Sequence, residues 1–349
     1  MRQARRLSRA IAGAFSLVIG LSAAPMAFGA DEAPPWSLYA RPQRLVPLPD
    51  GRRINLICLG EGSPVVIFES GLGDPGAYWG LVQPQTARTT RTCAYDRAGL
   101  GFSDEGPAPR DAAAVAADLS AMLEGSGLKG PYVLVGHSLG SFFVRLFADL
   151  HPDQVAGMVL VDPSVEFQTQ RSQAVVTSSH ATPPQDPSEW ARKCVAAAQA
   201  GELKPGAAAY KECTPGAPPG LPPDLVAAFM APYAAAPRFR TIESERESMD
   251  LGSAQLDAHR RSYGAIPLIV LTAGQRPKQP GETVEERQAL LRLWIQMHDE
   301  LAALSSRGEN RMVKESGHYI HLERPQVVID AVNEAVAAVR QGAGGTVPK

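Results

Sequence analysis

The most specific chemistry in the chain lies at a serine set between glycines. Gly136-His137-Ser138-Leu139-Gly140 fits G-x-S-x-G. Residues 132–135 form a short apolar, β-branched run, long enough for a buried strand and too short for a helix. Residues 142–150 continue as an amphipathic helix. Strand, tight turn and helix make up the setting this motif requires. The turn strains its central residue, so the flanking positions must carry no side chain. Ser138 would then project its hydroxyl above a sheet, with a helix N-terminus beneath it. A serine hydroxyl is a weak nucleophile until a neighbouring base takes its proton. The base in turn needs a carboxylate that fixes its tautomer and stabilises its charged form. Seven histidines are available for the first role.

The elements that must position these groups can be read on either side of the motif. Residues 45–48 and 54–59 flank Asp50-Gly51 and predict a hairpin. Buried strands are expected at 65–68, 92–95, 132–135, 155–161, 267–271 and 312–313. Helices are expected at 78–88, at 111–123 with Asp111 as N-cap, at 284–304, and at 325–339 with Pro325 near a first helical position. Short apolar strands interleaved with helices imply an α/β fold, with a mostly parallel sheet of about eight strands covered on both faces. The Pro- and Ala-rich stretch 163–265 breaks the rhythm and shows no buried strand. It is read as an inserted cap of short helices and loops, because so long a loop needs structure of its own.

Composition narrows the setting. Arg2, Arg5, Arg6 and Arg9 precede a short apolar run, and Ala27-Phe28-Gly29 offers small residues for cleavage. Residues 1–29 therefore read as a secretory signal, and the apolar run is shorter than the ~20 residues that would span a bilayer. The expected plan is a core at 30–162, the cap at 163–265, the rest of the core at 266–341 and a disordered tail at 342–349. The formal net charge of −2, with both signs dispersed, does not suggest nucleic acid or an anionic membrane surface as partner. Of four cysteines, Cys58 and Cys93 sit in expected strands and read as buried thiols. Cys194 and Cys213 lie in the cap and, in an oxidising compartment, read as a disulfide. The cysteine spacings do not match a zinc site.

Four motifs in order give the chain a resemblance to the α/β-hydrolase superfamily, from Leu45 to Gln341. They are Glu69-Ser70-Gly71-Leu72-Gly73, the stretch from Tyr95-Asp96-Arg97 through Gly99 and Gly101 to Ser103, the serine turn, and Ser316-Gly317-His318 before Glu323-Arg324-Pro325. The resemblance implies that His318, directly after the last strand, is the base. His321 is then a packing or pocket residue, and His137 points away from Ser138. His151, His180, His259 and His298 read as residues of helix ends and solvated faces. The commonest family position for the acid corresponds to residues 272–277, which hold no carboxylate. The resemblance then points to Asp162, directly after the 155–161 strand, with Glu282 and Glu285 in reserve. It assigns the oxyanion donors to the backbone N–H groups of Leu72 and Leu139, and makes Asp96 and Arg97 braces of the Gly99–Gly101 turn. Trp79, Phe142 and Phe143 read as core.

These readings converge on an exported, secreted or periplasmic, serine hydrolase. It would cleave a small-molecule carboxylic ester through an acyl-enzyme without a metal or organic cofactor. The same machinery would serve amide, lactone or thioester hydrolysis, and a non-catalytic ligand-binding protein could keep the fold. Epoxide hydrolases and dehalogenases, by the same resemblance, carry aspartate where this chain has Ser138.

Overall fold

The computed structural model describes residues 34–176, 187–218, 220–278 and 281–343. The expected signal at 1–29, His180 and residues 344–349 lie outside the described residues. Eight strands form one sheet: β1 (Arg44–Pro47), β2 (Arg53–Leu59), β3 (Val66–Glu69), β4 (Thr92–Tyr95), β5 (Tyr132–His137), β6 (Val155–Val161), β7 (Leu268–Ala273) and β8 (Gly308–Val313). Their spatial order is β1-β2-β4-β3-β5-β6-β7-β8. The β1–β2 and β2–β4 pairs are antiparallel, and from β4 to β8 all neighbours are parallel.

The central strands β3 to β7 are buried along almost their whole length because both faces are covered, and their alternation sorts the side chains between two cores. Leu134, Met158, Leu160, Leu268 and Val270 face one core. This core is completed by helices α1 (Ala112–Ser126), α2 (Gly140–Leu150) and, from further along the chain, Val284–Ala302. Val133, Val135, Val159, Val161 and Leu271 face the other core, together with Trp79 and the helix Pro325–Ala343. Asp111 caps α1 as expected, accepting the Ala114 N–H at 2.8 Å. Gly127, left-handed at φ 70°, ends that helix.

Between β6 and β7 lies an inserted helical cap. Its longer helices are α3 (Pro187–Gln199), α4 (Ala236–Glu247) and α5 (Met249–His259), and among the described residues it contributes no strand. Cys194 and Cys213 are bonded and pack with Phe239 and Ile242 of α4 in a small core of their own. Leu72, from the loop after β3, touches that core. The helices Val284–Ala302 and Pro325–Ala343, hereafter α6 and α7, complete the chain.

Three expectations need correction. The helix expected at 78–88 is a 3-10 turn, Gly76–Trp79, followed by a short helix, Gln83–Thr86. Pro84 has no N–H to continue a longer helix from the turn before it. Cys58 and Cys93 are not free thiols but a disulfide. They stand directly opposite each other in the β2–β4 register, with Cα atoms 4.1 Å apart. The sequence carries the two strands but not their mutual alignment. Finally, α7 continues through Gly342 to Ala343 instead of ending before the expected tail.

Both bridges should survive peptide mapping under non-reducing conditions, with no thiol open to alkylation. Replacing Cys194 and Cys213 together by serine should cost about 3 kcal/mol, and replacing Cys58 and Cys93 about 4 kcal/mol, from loop-closure entropy. Denaturant midpoints of the two double variants measure this directly. Full alkylation of either pair in the untreated protein would contradict it.

Candidate active site

Ser138 leaves β5 in a left-handed conformation, φ 51°, that a side-chain-bearing residue rarely adopts. Its neighbours make that turn possible. A Cβ on Gly136 would lie 2.9 Å from Ser141 Cα, and one on Gly140 would lie 2.5 Å from the Ser70 carbonyl oxygen. Both positions must therefore be glycine. The Ser138 N–H donates to the Val161 carbonyl at 3.1 Å, so the turn is tied to the end of β6.

The structure brings three of the expected residues together. The Ser138 hydroxyl lies 2.9 Å from His318 Nε2, and His318 Nδ1 lies 2.6 Å from Asp162 Oδ2. A carboxylate can only accept, so Nδ1 carries the proton and Nε2 receives the serine O–H. Ser138 and His318 are partly open to solvent, while Asp162 is buried. This arrangement can pull the proton from a serine hydroxyl at neutral pH and hold the resulting imidazolium.

Asp162 is also strained, at φ 40°, directly after β6. Its remaining oxygen, Oδ1, accepts the Ala273 N–H at 3.0 Å and Trp294 Nε1 at 2.8 Å. Burial alone would raise its pKa, but the hydrogen bond and charge of His318 outweigh burial and hold it below the ordinary carboxylate value. The carboxylate-free stretch after β7 thus supplies a donor to the acid instead of the acid itself. Of the reserves, Glu282 pairs with Arg276 and Glu285 stands exposed at the start of α6. Trp294 was not legible as a partner, because it stands 132 residues from Asp162 with no motif around it.

His298 departs from expectation. It is fully buried, with Nε2 donating to the Pro163 carbonyl at 2.9 Å and Nδ1 2.6 Å from Thr272 Oγ1. It fixes the turn that follows Asp162 from the side of α6. His137 does point away from Ser138, and its Nε2 reaches the His318 carbonyl at 3.1 Å. His321 is fully buried against Trp79 and His137, with ring centroids 4.7 and 4.3 Å away. Neither of its ring nitrogens has a hydrogen-bond partner. Burial, and after it the charge of His318, drives its pKa down to about 3.

The loop after β3 is held by Arg97. Its guanidinium donates to Glu69 Oε1 at 2.6 Å, to the Ser70 and Gly71 carbonyls at 2.7 Å each, and to Glu245 of α4 at 2.7 and 3.0 Å. Glu245 Oε2 in turn accepts the Gly73 N–H at 3.3 Å. Leu72 sits in the middle of this frame. Among the described residues, the Leu72 and Leu139 N–H groups have no protein acceptor. Burial would lower the pKa of Arg97, but Glu245 and Glu69 more than offset it and keep the group charged. The Arg97 side chain is therefore turned to this loop, and its contribution to the Gly99–Gly101 turn is its carbonyl, which accepts the Leu100 N–H at 2.9 Å. The Asp96 side chain braces that turn, accepting the Gly76 and Phe102 N–H groups at 2.8 and 2.9 Å and Asn55 Nδ2 at 2.8 Å. Trp79, Phe142 and Phe143 are core, as expected.

Two substitutions test this packing. Arg97→Met leaves Glu69 and Glu245 buried without their cation and should cost about 3–5 kcal/mol in urea unfolding. His321→Phe removes two unpartnered nitrogens and should leave stability at pH 8 unchanged or higher. The buried imidazole stays neutral when folded, so the unfolded chain binds more protons between pH 6.5 and about 3. Stability contributed by this site is present above pH 6.5 and falls by up to about 1.4 kcal/mol per unit on acidification. The phenylalanine variant should lose that part of the slope; an unaltered acid limb would contradict the assignment.

The chain spans only 16% of the length of several curated relatives that it matches, over 28–30% of its own residues. The protein YqjL of Bacillus subtilis is 22% identical over 284 residues, which cover 81% of this chain and 88% of YqjL. A thermophilic esterase from Thermogutta terrifontis superposes with a TM-score of 0.57 at 18% identity, over 84% of this chain and 97% of the esterase. The epoxide hydrolase CorEH gives the same TM-score of 0.57 and the same 18% identity, over 84% of this chain and 98% of CorEH. The family model described as the alpha/beta hydrolase family matches residues 66–331, a stretch that runs from β3 into α7 and includes Ser138, Asp162 and His318. On that match, and with the eight-stranded sheet and its inserted helical cap, this chain belongs to the alpha/beta hydrolase family.

Proposed function

We propose that this protein is an exported serine hydrolase that cleaves a carboxylic ester through an acyl-enzyme. The observation that carries the reading is the unbroken hydrogen-bond chain Ser138–His318–Asp162, at 2.9 and 2.6 Å. Ser138 Oγ attacks the ester carbonyl carbon while its proton passes to His318 Nε2. The developing oxyanion is received by the Leu72 and Leu139 N–H groups, held on opposite sides by the Arg97 frame and the start of α2. Asp162, kept anionic by its three donors, stabilises the imidazolium. Collapse of the tetrahedral intermediate breaks the bond to the alcohol, which leaves with the proton from His318. Water then repeats the sequence on the acyl-enzyme, with His318 as base, and frees the carboxylic acid and Ser138.

An esterase and an epoxide hydrolase share this fold equally well, so the sheet does not choose between them. The hydroxyl nucleophile at 138 supports acyl transfer. Export rests on the basic and apolar start of the sequence, and the two disulfides agree with an oxidising compartment.

Ser138→Ala should abolish turnover of 4-nitrophenyl esters and labelling by a fluorophosphonate, with the unfolding midpoint unchanged. Wild-type activity in that variant would sink the reading. Asp162→Asn should lower kcat by ~10⁴, because an amide can present N–H to the ring and favour the wrong tautomer. A nearly full rate in Asp162→Asn, with Glu282→Gln inactive, would move the acid role to the later loop.

A further inference from the structure

Arg238 is the third residue of α4, in the cap, yet it turns inward and is only 7% exposed. Its Nε donates to the Gly73 carbonyl at 3.2 Å, in the same loop that carries Leu72. Its Nη1 is buried with no hydrogen-bond partner. Among the described residues, no carboxylate lies within ion-pair distance of its guanidinium. The group rests on rings instead, 5.4 Å from the centroids of both Tyr233 and Phe239. A buried cation without a direct ion-pair partner is costly, and Arg97, Arg145 and Arg52 in this protein are all paired with acids.

The surroundings lead from Arg238 to the reacting residues. Tyr233 lies 6.4 Å from Tyr78, Tyr78 lies 5.8 Å from Tyr319, and Tyr319 lies 5.4 Å from His318, all between ring centroids. Asp74 is buried in the same group and has an oxygen, Oδ2, without a partner. We propose that Arg238 is the specificity-determining residue of an anion subsite beside Ser138, and that the substrate is an ester bearing a free carboxylate. The inference rests on the serine-hydrolase reading and adds the substrate class. A planar carboxylate presents two acceptors to the fork of a guanidinium, which suits Arg better than Lys. The aromatic walls would exclude water and strengthen the pair.

Asp74 decides when the subsite is open to an anion. Burial pushes its carboxyl up to about 7, against the charges of Arg238, Arg97 and His318 and together with that of Glu245. The Tyr78 hydroxyl also lies against it. Below that pH Asp74 is neutral and can donate its O–H to an incoming carboxylate; above it, the two anions repel.

Matched substrates test this. The 4-nitrophenyl hemiester of glutaric acid carries the charge on the acyl part, and 4-acetoxybenzoate carries it on the alcohol part; each has an uncharged carboxamide counterpart. The wild-type protein should favour the carboxylate over its carboxamide at least tenfold in kcat/KM for one of the pairs, and the ratio should be larger at pH 6 than at pH 8. Arg238→Gln should reduce that ratio towards one, while Arg238→Lys should retain part of it. Calorimetric binding of glutarate against its uncharged diamide, glutaramide, needs neither turnover nor a variant, and should favour glutarate by a similar factor. No preference in either ester pair, a preference that survives Arg238→Gln, or equal binding of glutarate and glutaramide would overturn the subsite. Failure of the parent reading looks different: none of the four esters is turned over and Ser138 is not labelled, whatever glutarate does.

Discussion

The buried Arg97 cluster is the interaction on which the rest of the site depends. One guanidinium holds a carboxylate from the end of β3, two backbone carbonyls of the loop that follows, and a carboxylate from the cap. A buried ion pair gives little net stability when compared with a well-packed apolar alternative. Its value here is positional. Glycine-rich loops have much conformational freedom to lose, and the proposed oxyanion donor Leu72 lies in one. Five short hydrogen bonds from a single rigid group remove that freedom, and a sixth contact, Gly73 N–H to Glu245, closes the frame from above.

The opposite wall solves a different problem. An acid that follows β6 instead of β7 must still face a histidine that follows β8. The backbone at Asp162 turns left-handed to do so, and the adjacent strand end answers with the Ala273 N–H. Trp294 and His298, two positions in α6 separated by one helical turn, then fix the carboxylate and the turn behind it. Asp162 thus has its own supporting shell, contributed by a helix whose surface gives no hint of that role in a linear reading.

Much of this was legible in the sequence. Short apolar, β-branched runs marked the strands, and the glycine spacing marked the turn at Ser138. The absence of a carboxylate at 272–277 pointed to Asp162, and the structure places Asp162 on His318. What stayed hidden depends on register and distance. Cys58 meets Cys93 only because of the β2–β4 alignment. Arg97 meets Glu245 across 148 residues, and His298 sits in a helix whose polar residues mostly face solvent. No local pattern encodes such meetings, because each requires the sheet order first and the cap's seat upon it second.

The Glu245 contact also bears on whether the cap is separable from the core. Caps in this architecture occupy an insertion between two strands and could in principle be exchanged as modules, leaving the sheet untouched. Here the module carries one of the anions that neutralise a core arginine, and it also carries Ile242, whose side chain fills the space beside Gly73. A transplanted cap without both would leave Arg97 half-neutralised and the glycine loop unsupported. Cap and core of this protein are therefore not independent parts, and Glu245 and Ile242 mark the seam at which one completes the other.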